Sequence, residues 1–287
     1  MKKLFSCLLA IFAFSQVLFA QDNKTASTED GIIKVLAIGN SFSEDGIENY
    51  LYELAAATDK KMIIGNLYIP GAPLELHVKN TIADKAAYNY RKIDVTGKKN
   101  VTKDVSIAQA LAEEHWDYIS FQQASPTSGQ YETIIASLPD LMKYVRERVP
   151  ADTKFVYHQT WAYQQDSKHA GFANYQNNQS IMYNSIAAAS KKVFQGGGFT
   201  YLIPAGTAVQ NARTSSLGDH LTRDGYHLQL DYGRVTAACT WYEKLFKEDV
   251  RKNTYKPEKV TDQQATIAKL AAHLACKKPY KVSKIKL

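Results

Sequence analysis

The sequence predicts an α/β fold in which helices cover both faces of a mostly parallel, five-stranded sheet. Short runs of β-forming apolar residues alternate along the 287-residue chain with longer segments of helical periodicity. Each apolar run also ends in glycine, proline or polar residues, which is typical of strands that leave a sheet. Neither internal repeats nor low-complexity segments interrupt this alternation.

The amino-terminal segment has the three-part layout of a secretory signal peptide. Lys2 and Lys3 precede an apolar run over 4–19, and the small residue Ala20 stands before the polar segment QDNKTASTED. The run is shorter than the ~20 uninterrupted apolar residues of a transmembrane helix. We therefore expect export with cleavage near Ala20, a periplasmic or secreted location, and no stable membrane insertion.

The remaining chain has the length of one domain. Removal of residues 1–20 leaves 287 − 20 = 267 residues and a formal charge of +7 − 2 = +5. A single α/β domain is predicted at 32–276, between a flexible polar leader (21–31) and a basic tail (277–287). The tail carries five lysines and is expected to be a solvated end, although such tails also meet anionic glycans or membranes. No nucleic-acid partner is expected, because the aromatic and basic pattern of a nucleic-acid module is absent.

The elements follow in order along the chain. Strands are predicted where β-forming apolar residues cluster, at 33–38, 61–69, 116–121, 154–158 and 201–204. Helices are predicted from apolar spacing of 3–4 residues, at 46–57, 106–115, 132–149, 174–194, 206–213, 232–246 and 261–276. The segment 88–105, with TGKKN between two β-leaning stretches, is predicted to be an inserted surface hairpin, with a lid as one of its possible roles.

The stretch IKVLAIGNSFSEDGIENY places a serine between the first strand and the first helix. Backbone N–H groups at a helix start are unpaired, so Ser41 lies beside groups that can stabilise an anion. Hydrolytic serines need this location. The alternative is that Ser41 or Ser43 only caps the helix, as serine commonly does; we expect Ser43 to be the cap.

Further loops at predicted strand ends carry polar and aromatic groups. They hold Gly71 in PGAP, the pair Gln122 and Gln123, and the segment HQTWAY that begins at His158. In a parallel sheet such loops meet at one edge, where sites form outside the carboxyl ends of the strands. Each loop has an ordinary structural explanation by itself, but together they favour a pocket beside Ser41.

A base for the serine is offered by Asp224 and His227. A serine hydroxyl is a poor nucleophile at neutral pH unless a base accepts its proton, and a carboxylate fixes the tautomer of that base. The spacing Asp-x-x-His allows both side chains to come from one loop. Such pairs also occur by chance, so the two residues become informative only in combination with the serine.

These blocks resemble a known superfamily. The segment GNSFS (39–43) resembles the first block of the SGNH, or GDSL-like, hydrolases, with Asn40 where aspartate is usual, and DGYH (224–227) resembles their last block. Together with the double glutamine, HQTWA and RDGYHL, they are similar to the DUF4886 group of Bacteroidetes. The resemblance covers about 33–247 and implies a flavodoxin-like three-layer α/β/α sandwich. It also implies a serine ester hydrolase with Ser41 as nucleophile, His227 as base and Asp224 as its partner.

The resemblance also implies an oxyanion hole. In the superfamily, a glycine of the second block and an asparagine of the third assist the serine N–H. Gly71 matches the former, but the third block of this sequence ends in FQQAS. We therefore expect the N–H groups of Ser41 and Gly71 and an amide of Gln123, or of Gln122 next to it, to hold the oxyanion.

The expected function is hydrolysis of small acyl esters, acetyl above all, on a carbohydrate or another small molecule. The alternatives are a glycan-binding protein with weak or lost catalysis and a lipid or thioester hydrolase. No cofactor or metal is expected, since neither a glycine-rich dinucleotide fingerprint nor a short metal-ligand spacing is present. The predicted substrate-binding residues are Asn40, His158, Trp161, Tyr163 and Arg223.

The cysteines leave two alternatives. After residue 20 the chain holds only Cys239 and Cys276. They either form a disulfide in an oxidising compartment or stay as two buried thiols.

Overall fold

The computed structural model describes residues 31–287. The predicted signal peptide and all but the last residue of the predicted leader lie outside this range. Seven strands form one sheet in the order β4-β3-β2-β1-β5-β6-β7. They are β1 (Ile32–Gly39), β2 (Lys61–Tyr68), β3 (Tyr88–Ile93), β4 (Lys99–Val105), β5 (Tyr118–Phe121), β6 (Lys154–His158) and β7 (Tyr201–Ile203).

Five of these strands are parallel, and they are the five that the sequence predicts. β1 pairs in parallel with β2 on one side and with β5 on the other, and β6 and β7 continue the sheet. The predicted count was two strands short because the inserted hairpin is part of the sheet. β3 pairs antiparallel with β2, and β4 pairs antiparallel with β3. The hairpin therefore extends one edge of the sheet and does not form a lid.

Ten α-helices lie among residues 31–287. They are α1 (Ser41–Ile47), α2 (Leu51–Ala56), α3 (Leu74–Ile82), α4 (Ile107–Glu113), α5 (Tyr131–Ile135), α6 (Leu138–Arg146), α7 (Gln179–Gln195), α8 (Ala205–Ala212), α9 (Tyr232–Phe246) and α10 (Asp262–Lys277). Successive side chains of β1 point to opposite faces of the sheet and so show the two layers of helices that cover it. Val35 and Ala37 pack with residues of α1, α2, α9 and α10, whereas Leu36 and Ile38 pack with residues of α3, α4, α6 and α7.

Two predicted helices are each divided in two. The predicted helix at 46–57 is α1 and α2, separated by Tyr50, which has a left-handed φ of 70°. The predicted helix at 132–149 is α5 and α6, and Pro139 lies in the first turn of α6, where its missing N–H costs nothing. α3 was not predicted; it begins directly after Pro73.

The carboxyl-terminal segment is packed against the domain, so the prediction of a solvated tail is wrong. Ile285 is buried, and the backbone of the segment bonds to side chains of the preceding helices and loops. Asn211 accepts a hydrogen bond from Ser283 N at 2.6 Å, and Thr214 accepts one from Ile285 N at 2.9 Å. The lysines of the segment point outward while its apolar residues and N–H groups fix it.

Both cysteines are free thiols in the structure: Cys239 is buried and Cys276 is partly buried. Among residues 31–287, none of the helices combines the length and the apolar character needed to cross a membrane.

The contact between α8 and the end of β6 predicts a large effect of a single methyl group. A Cβ added to Gly206 would lie 2.0 Å from the carbonyl oxygen of Thr160, a backbone atom that cannot move independently. We expect Gly206→Ala to lower the free energy of unfolding by about 2–3 kcal/mol, as overpacked sites do. Urea denaturation would measure it. Gly196→Ala is the control, since its Cβ would approach no atom closer than 3.3 Å; an equal loss in both variants would contradict the prediction.

Candidate active site

A cavity of about 390 Å³ opens at the carboxyl ends of β1, β2 and β5. It lies where the sequence predicted a site, between the loops that leave the parallel strands. Residues far apart in the sequence, from Asn40 to His227, meet here. The lining residues are Asn40, Ser41, Phe42, Tyr68, Pro70, Gly71, Ser125, Pro126, His169, Tyr226 and His227.

Ser41 is the first residue of α1 and faces this cavity. The helix cap is neither Ser41 nor Ser43, so the prediction that Ser43 is the cap is wrong. Asn40 is the cap, and its Oδ1 accepts from Phe42 N at 2.9 Å. The buried Ser43 hydroxyl donates to the carbonyl oxygen of Asn40 at 2.7 Å. Ser41 Oγ forms no hydrogen bond with any group in residues 31–287, so it is available to a substrate.

His227 reaches the same cavity, paired with Asp224. Its Nδ1 lies 2.6 Å from Asp224 Oδ2, and its backbone N–H donates to Asp224 Oδ1 at 2.8 Å. Burial raises the pKa of Asp224, but the hydrogen bonds from the side chain and N–H of His227 outweigh burial and hold that pKa below its ordinary value. The ionised carboxylate keeps the proton on Nδ1, which leaves the Nε2 lone pair as the acceptor. No direct hydrogen bond joins Ser41 Oγ to His227 in the described part of the chain.

Asp45, which the sequence analysis did not single out, ties the loop of His227 to the helix of Ser41. Its fully buried carboxylate lies 3.1 Å from the Arg223 guanidinium and 2.7 Å from that of Arg234. It also accepts from Leu228 N at 2.8 Å. The spacing in the sequence could have indicated that Asp45 is buried. Asp45 comes three positions after Phe42, so both side chains lie on the same face of the short helix α1.

Arg223 therefore has a structural role. It was predicted to bind substrate, but its guanidinium bonds to Asp45 and to the carbonyl oxygen of Leu228. It does not line the cavity. The residue anchors the loop that carries Asp224 and His227.

Two backbone N–H groups are the available donors for an anion in the cavity. Neither Ser41 N nor Gly71 N donates a hydrogen bond to any group within 31–287. Gly71 has φ +62°, a left-handed conformation that favours glycine, and nothing lies within 4 Å of the position of an added Cβ. The space beside this peptide is open to the cavity.

Both glutamine side chains are occupied elsewhere, so the structure does not support their predicted place in an oxyanion hole. Gln122 donates to Asn40 Oδ1 at 2.8 Å and accepts from His158 Nδ1 at 2.7 Å. Gln123 accepts from Leu74 N at 3.0 Å and from Ala124 N at 2.8 Å. Neither residue lines the cavity. Both amides turn into the protein because buried polar groups there need partners: side chains in the case of Gln122 and backbone N–H groups in the case of Gln123.

Three predicted substrate contacts are buried behind the cavity wall. His158, Trp161 and Tyr163 have 0% exposure, and none of them lines the cavity. Trp161 stacks on Phe42 with ring centroids 4.3 Å apart, and Tyr163 bonds through its hydroxyl to Ser125 Oγ at 2.8 Å. These aromatic residues support the wall. Among the predicted contacts, only Asn40 lies in the lining.

The rim contains residues that the sequence analysis missed. Tyr68 is the last residue of β2 and Pro70 follows it, Pro126 follows β5, and Tyr226 lies between Asp224 and His227. His169 also lines the cavity, with its ring 4.6 Å from that of Tyr226. Position at or directly after the end of a predicted strand was the available signal for Tyr68 and Pro70. His169 follows no strand directly, and the sequence holds no such signal for it.

His169 is held as a neutral ring. Its Nδ1 accepts from Gly171 N at 3.0 Å, which places the ring proton on Nε2. Burial lowers the pKa of His169, and the nearby His227 lowers it further. The cavity wall thus contains a neutral imidazole beside the His227 ring.

A pH dependence of stability follows from two other histidines. Burial lowers the pKa of His158 to about 3 and that of His77 to about 4. The unfolded chain binds protons at both below about pH 6.5, whereas the folded chain does not until pH 3–4, so folding is weakened as pH falls through 6.5. We expect the free energy of unfolding to drop by roughly 3–4 kcal/mol between pH 7.5 and 5. Urea titrations at both pH values test this, and His77→Asn should remove about half of the drop.

One histidine and carboxylate group could share a metal ion within residues 31–287. Glu243, Asp249 and His273 place their ligand atoms within 4.8 Å of one another. The three lie outside the cavity, and Asp249 is paired with Arg251. His273 Nδ1 already contacts Glu243 at 2.9 Å, so an ion pair explains this cluster.

The comparisons with known proteins identify the family of the chain. The family model described as Domain of unknown function (DUF4886) matches residues 34–275. The chain belongs to this family. A crystal structure of a DUF4886 family protein from Bacteroides uniformis ATCC 8492 is 52% identical in sequence, with a TM-score of 0.87. The match covers 88% of this chain and 98% of that one.

One more distant structure shows the fold, and another is reported beside it as a weaker likeness. A candidate SGNH hydrolase from Slackia heliotrinireducens is 22% identical, with a TM-score of 0.50, over 74% of this chain and 98% of that one. A catalytic mutant of the acetylxylan esterase Axe2 from Geobacillus stearothermophilus is 11% identical, with a TM-score of 0.47, over 74% and 94%. No curated protein matches the chain. The predicted three-layer SGNH hydrolase fold is confirmed, and the predicted membership of the DUF4886 group is confirmed with it.

Proposed function

We propose that this DUF4886 chain is an exported serine esterase that hydrolyses small acyl esters, acetyl esters above all, on carbohydrate. The observation that carries the proposal is that Ser41 and the Asp224–His227 pair, far apart in sequence, line one cavity of about 390 Å³. Two unpaired N–H groups, those of Ser41 and Gly71, belong to the same lining. A nucleophile, an oriented base and anion donors are the parts that acyl transfer requires.

The proposed reaction has two steps. Ser41 Oγ attacks the ester carbonyl while His227 Nε2 takes its proton, and the N–H groups of Ser41 and Gly71 stabilise the oxyanion. The alcohol leaves with the proton from His227, and an acyl-serine remains. Water, deprotonated by His227, then attacks the acyl-serine; Ser41 recovers its proton and the carboxylic acid departs. Asp224 stabilises the imidazolium in both steps without taking its proton.

The size and the lining of the cavity favour a substrate that has a short acyl group and a ring-shaped alcohol. At about 390 Å³ the cavity is near the lower end of ordinary ligand pockets, and Phe42 in its lining is backed by the buried ring of Trp161. The lining also includes the rings of Tyr68, Tyr226 and Pro126. Flat apolar rings next to polar groups suit a sugar, whose faces are apolar and whose edge carries hydroxyls. A long acyl chain would need an apolar groove beyond this rim.

The test is a panel of 4-nitrophenyl esters from acetyl to dodecanoyl, together with acetylated oligosaccharides, given to protein that begins after Ala20. We expect the acetyl ester and the oligosaccharides to be cleaved fastest and both Ser41→Ala and His227→Ala to be inactive. Preference for long chains would replace the carbohydrate proposal with a lipid hydrolase. If wild type and Ser41→Ala both bind glycan and neither cleaves any ester, the protein is a glycan-binding protein and the proposal of esterase activity is refuted.

Export is part of the proposal and has its own test. The signal-peptide pattern supports it. Expression of the full chain in a Gram-negative host, followed by osmotic release and intact-mass measurement, should give a periplasmic species that starts at or near Gln21. Retention of the full-length chain in the cytoplasm would refute export.

A further inference from the structure

From the interior to the cavity wall, three side chains form a line of hydrogen bonds that ends at the backbone of the two residues that follow the proposed oxyanion donors. His158 bonds to Gln122 at 2.7 Å, and Gln122 bonds to Asn40 at 2.8 Å. Asn40 then bonds to Phe42 N at 2.9 Å and to the carbonyl oxygen of Ala72 at 3.0 Å. Phe42 follows Ser41, and Ala72 follows Gly71. All three side chains are buried, with exposures of 0–1%.

The backbone fixes the direction of every bond in this line. Phe42 N–H can only donate and the Ala72 carbonyl can only accept, so the Asn40 amide has one possible orientation. Its oxygen faces Gln122, which must therefore donate with Nε2 and accept with Oε1. His158 must then carry its proton on Nδ1. Burial, which lowers the pKa of His158 to about 3, keeps that ring neutral and the line intact at physiological pH.

We propose that Gln122 and His158 are positioning residues that hold the Asn40 amide and, through it, set the Ser41 turn and the Gly71 loop at a fixed separation. The inference rests on the proposed function, because its effect is read in the oxyanion donors. Without Gln122, the Asn40 amide loses one of its three hydrogen bonds and keeps only those to the two backbone segments. The two N–H groups that must converge on one oxygen are then held less firmly, and a shift of about 1 Å in such groups costs on the order of 10²-fold in rate.

Gln122→Met tests the inference by removing both hydrogen bonds at similar volume. We expect kcat on 4-nitrophenyl acetate to fall about 30- to 100-fold with KM changed less than threefold, since the donors act mainly in the transition state. The control is Gln159→Met. Gln159 is also fully buried and bonded in both directions, to Thr207 N at 2.9 Å and to the carbonyl oxygen of Pro279 at 3.2 Å, but neither partner lines the cavity or belongs to the Ser41 turn or the Gly71 loop. It should lose thermal stability and keep kcat.

Gln122→Glu gives a second signature. An ionised glutamate accepts from His158 but repels Asn40 Oδ1, whereas a protonated glutamic acid can donate to it. The ratio of kcat in this variant to kcat in wild type should therefore rise as pH falls, while the same ratio for Gln122→Met stays flat. A purely structural role for Gln122 predicts no difference between the two profiles.

Hydrogen exchange of the Phe42 amide separates this inference from the proposed function. It should be at least tenfold faster in Gln122→Met than in wild type and unchanged in Gln159→Met, whether or not the protein cleaves esters. If the exchange changes but wild type has no esterase activity, the proposed function fails and the hydrogen-bond line stands. If wild type is active while folded Gln122→Met keeps kcat within threefold and Phe42 exchange unchanged, the inference is overturned.

Discussion

Ser41→Ala is expected to lower kcat/KM for 4-nitrophenyl acetate by at least about 10³-fold, the usual loss when the nucleophile of such a triad is removed. Its thermal unfolding midpoint should stay within about 1 °C of wild type, because the hydroxyl bonds to no group of the described chain and is not buried. Steady-state kinetics and differential scanning calorimetry on the same preparations measure the two effects.

Ser43→Ala is the matched contrast, two residues away on the same helix. Its hydroxyl is fully buried, and its single proton is shared between two acceptors, the carbonyl oxygen of Asn40 at 2.7 Å and Asn66 Oδ1 at 2.9 Å, so its removal leaves buried acceptors with one partner fewer. We expect a loss of about 1–2 kcal/mol in the free energy of unfolding and a smaller loss of activity than in Ser41→Ala. The reverse pattern, a stable Ser43→Ala without activity and an active Ser41→Ala, would assign the nucleophile to Ser43.

The sequence predicted best the elements that have a long stretch of periodically spaced apolar residues or a strong local signal such as a helix cap. α9 matches the predicted 232–246, and Ser106 caps α4 with the reciprocal bonds of a capping box. Errors arose where contacts between residues distant in sequence determine the structure of a segment. The carboxyl-terminal lysines appear solvated in the sequence, but Asn211 and Thr214, some 70 positions earlier, supply the hydrogen bonds that fix this segment.

The site shows the same division. The sequence analysis predicted that Ser41, Gly71 and His227 meet at one site, because both their positions along the chain and their chemical types indicated it. Gln122 and Gln123 were misplaced because a sequence does not show which way a buried amide turns. His158, Trp161 and Tyr163 were placed at the rim, yet they lie one layer deeper. The sequence thus predicted the loops that carry Ser41, Gly71 and His227 to one cavity, while side-chain direction required the fold.

The distinction between lining and support changes how variants of this protein should be interpreted. Arg223, Gln122 and His158 lie outside the lining, and each bonds to another side chain: Arg223 to Asp45, Gln122 to Asn40 and His158 to Gln122. Loss of activity in such a variant does not identify a substrate contact. A change in kcat at constant KM, together with a change in stability, is the expected result for a supporting residue.

Asp45→Ala is expected to have the largest effect on stability of any substitution near the cavity. It would remove the buried carboxylate that Arg223, Arg234 and Leu228 N share, leaving two guanidinium groups and one N–H without this partner. Breaking a buried ion pair from one side costs about 3–5 kcal/mol. Because the same carboxylate joins α1 to the loop of His227, kcat should fall as well. Urea denaturation and steady-state kinetics at pH 7.5 measure both.

Asp262→Ala provides the control for Asp45→Ala, because it too removes an aspartate from an ion pair. Asp262 lies 2.7 Å from Lys256, but its side chain is 94% exposed, so water replaces the lost partner and stability should be nearly unchanged. Asp45→Asn separates charge from hydrogen bonding: the amide oxygen can still accept from Leu228 N, and an intermediate loss of stability is expected. Equal stability of Asp45→Ala and Asp262→Ala would show that Asp45 does not hold the loop of Asp224 and His227 against α1. The alignment of His227 with Ser41 would then have to come from the packing of Phe42 against Trp161.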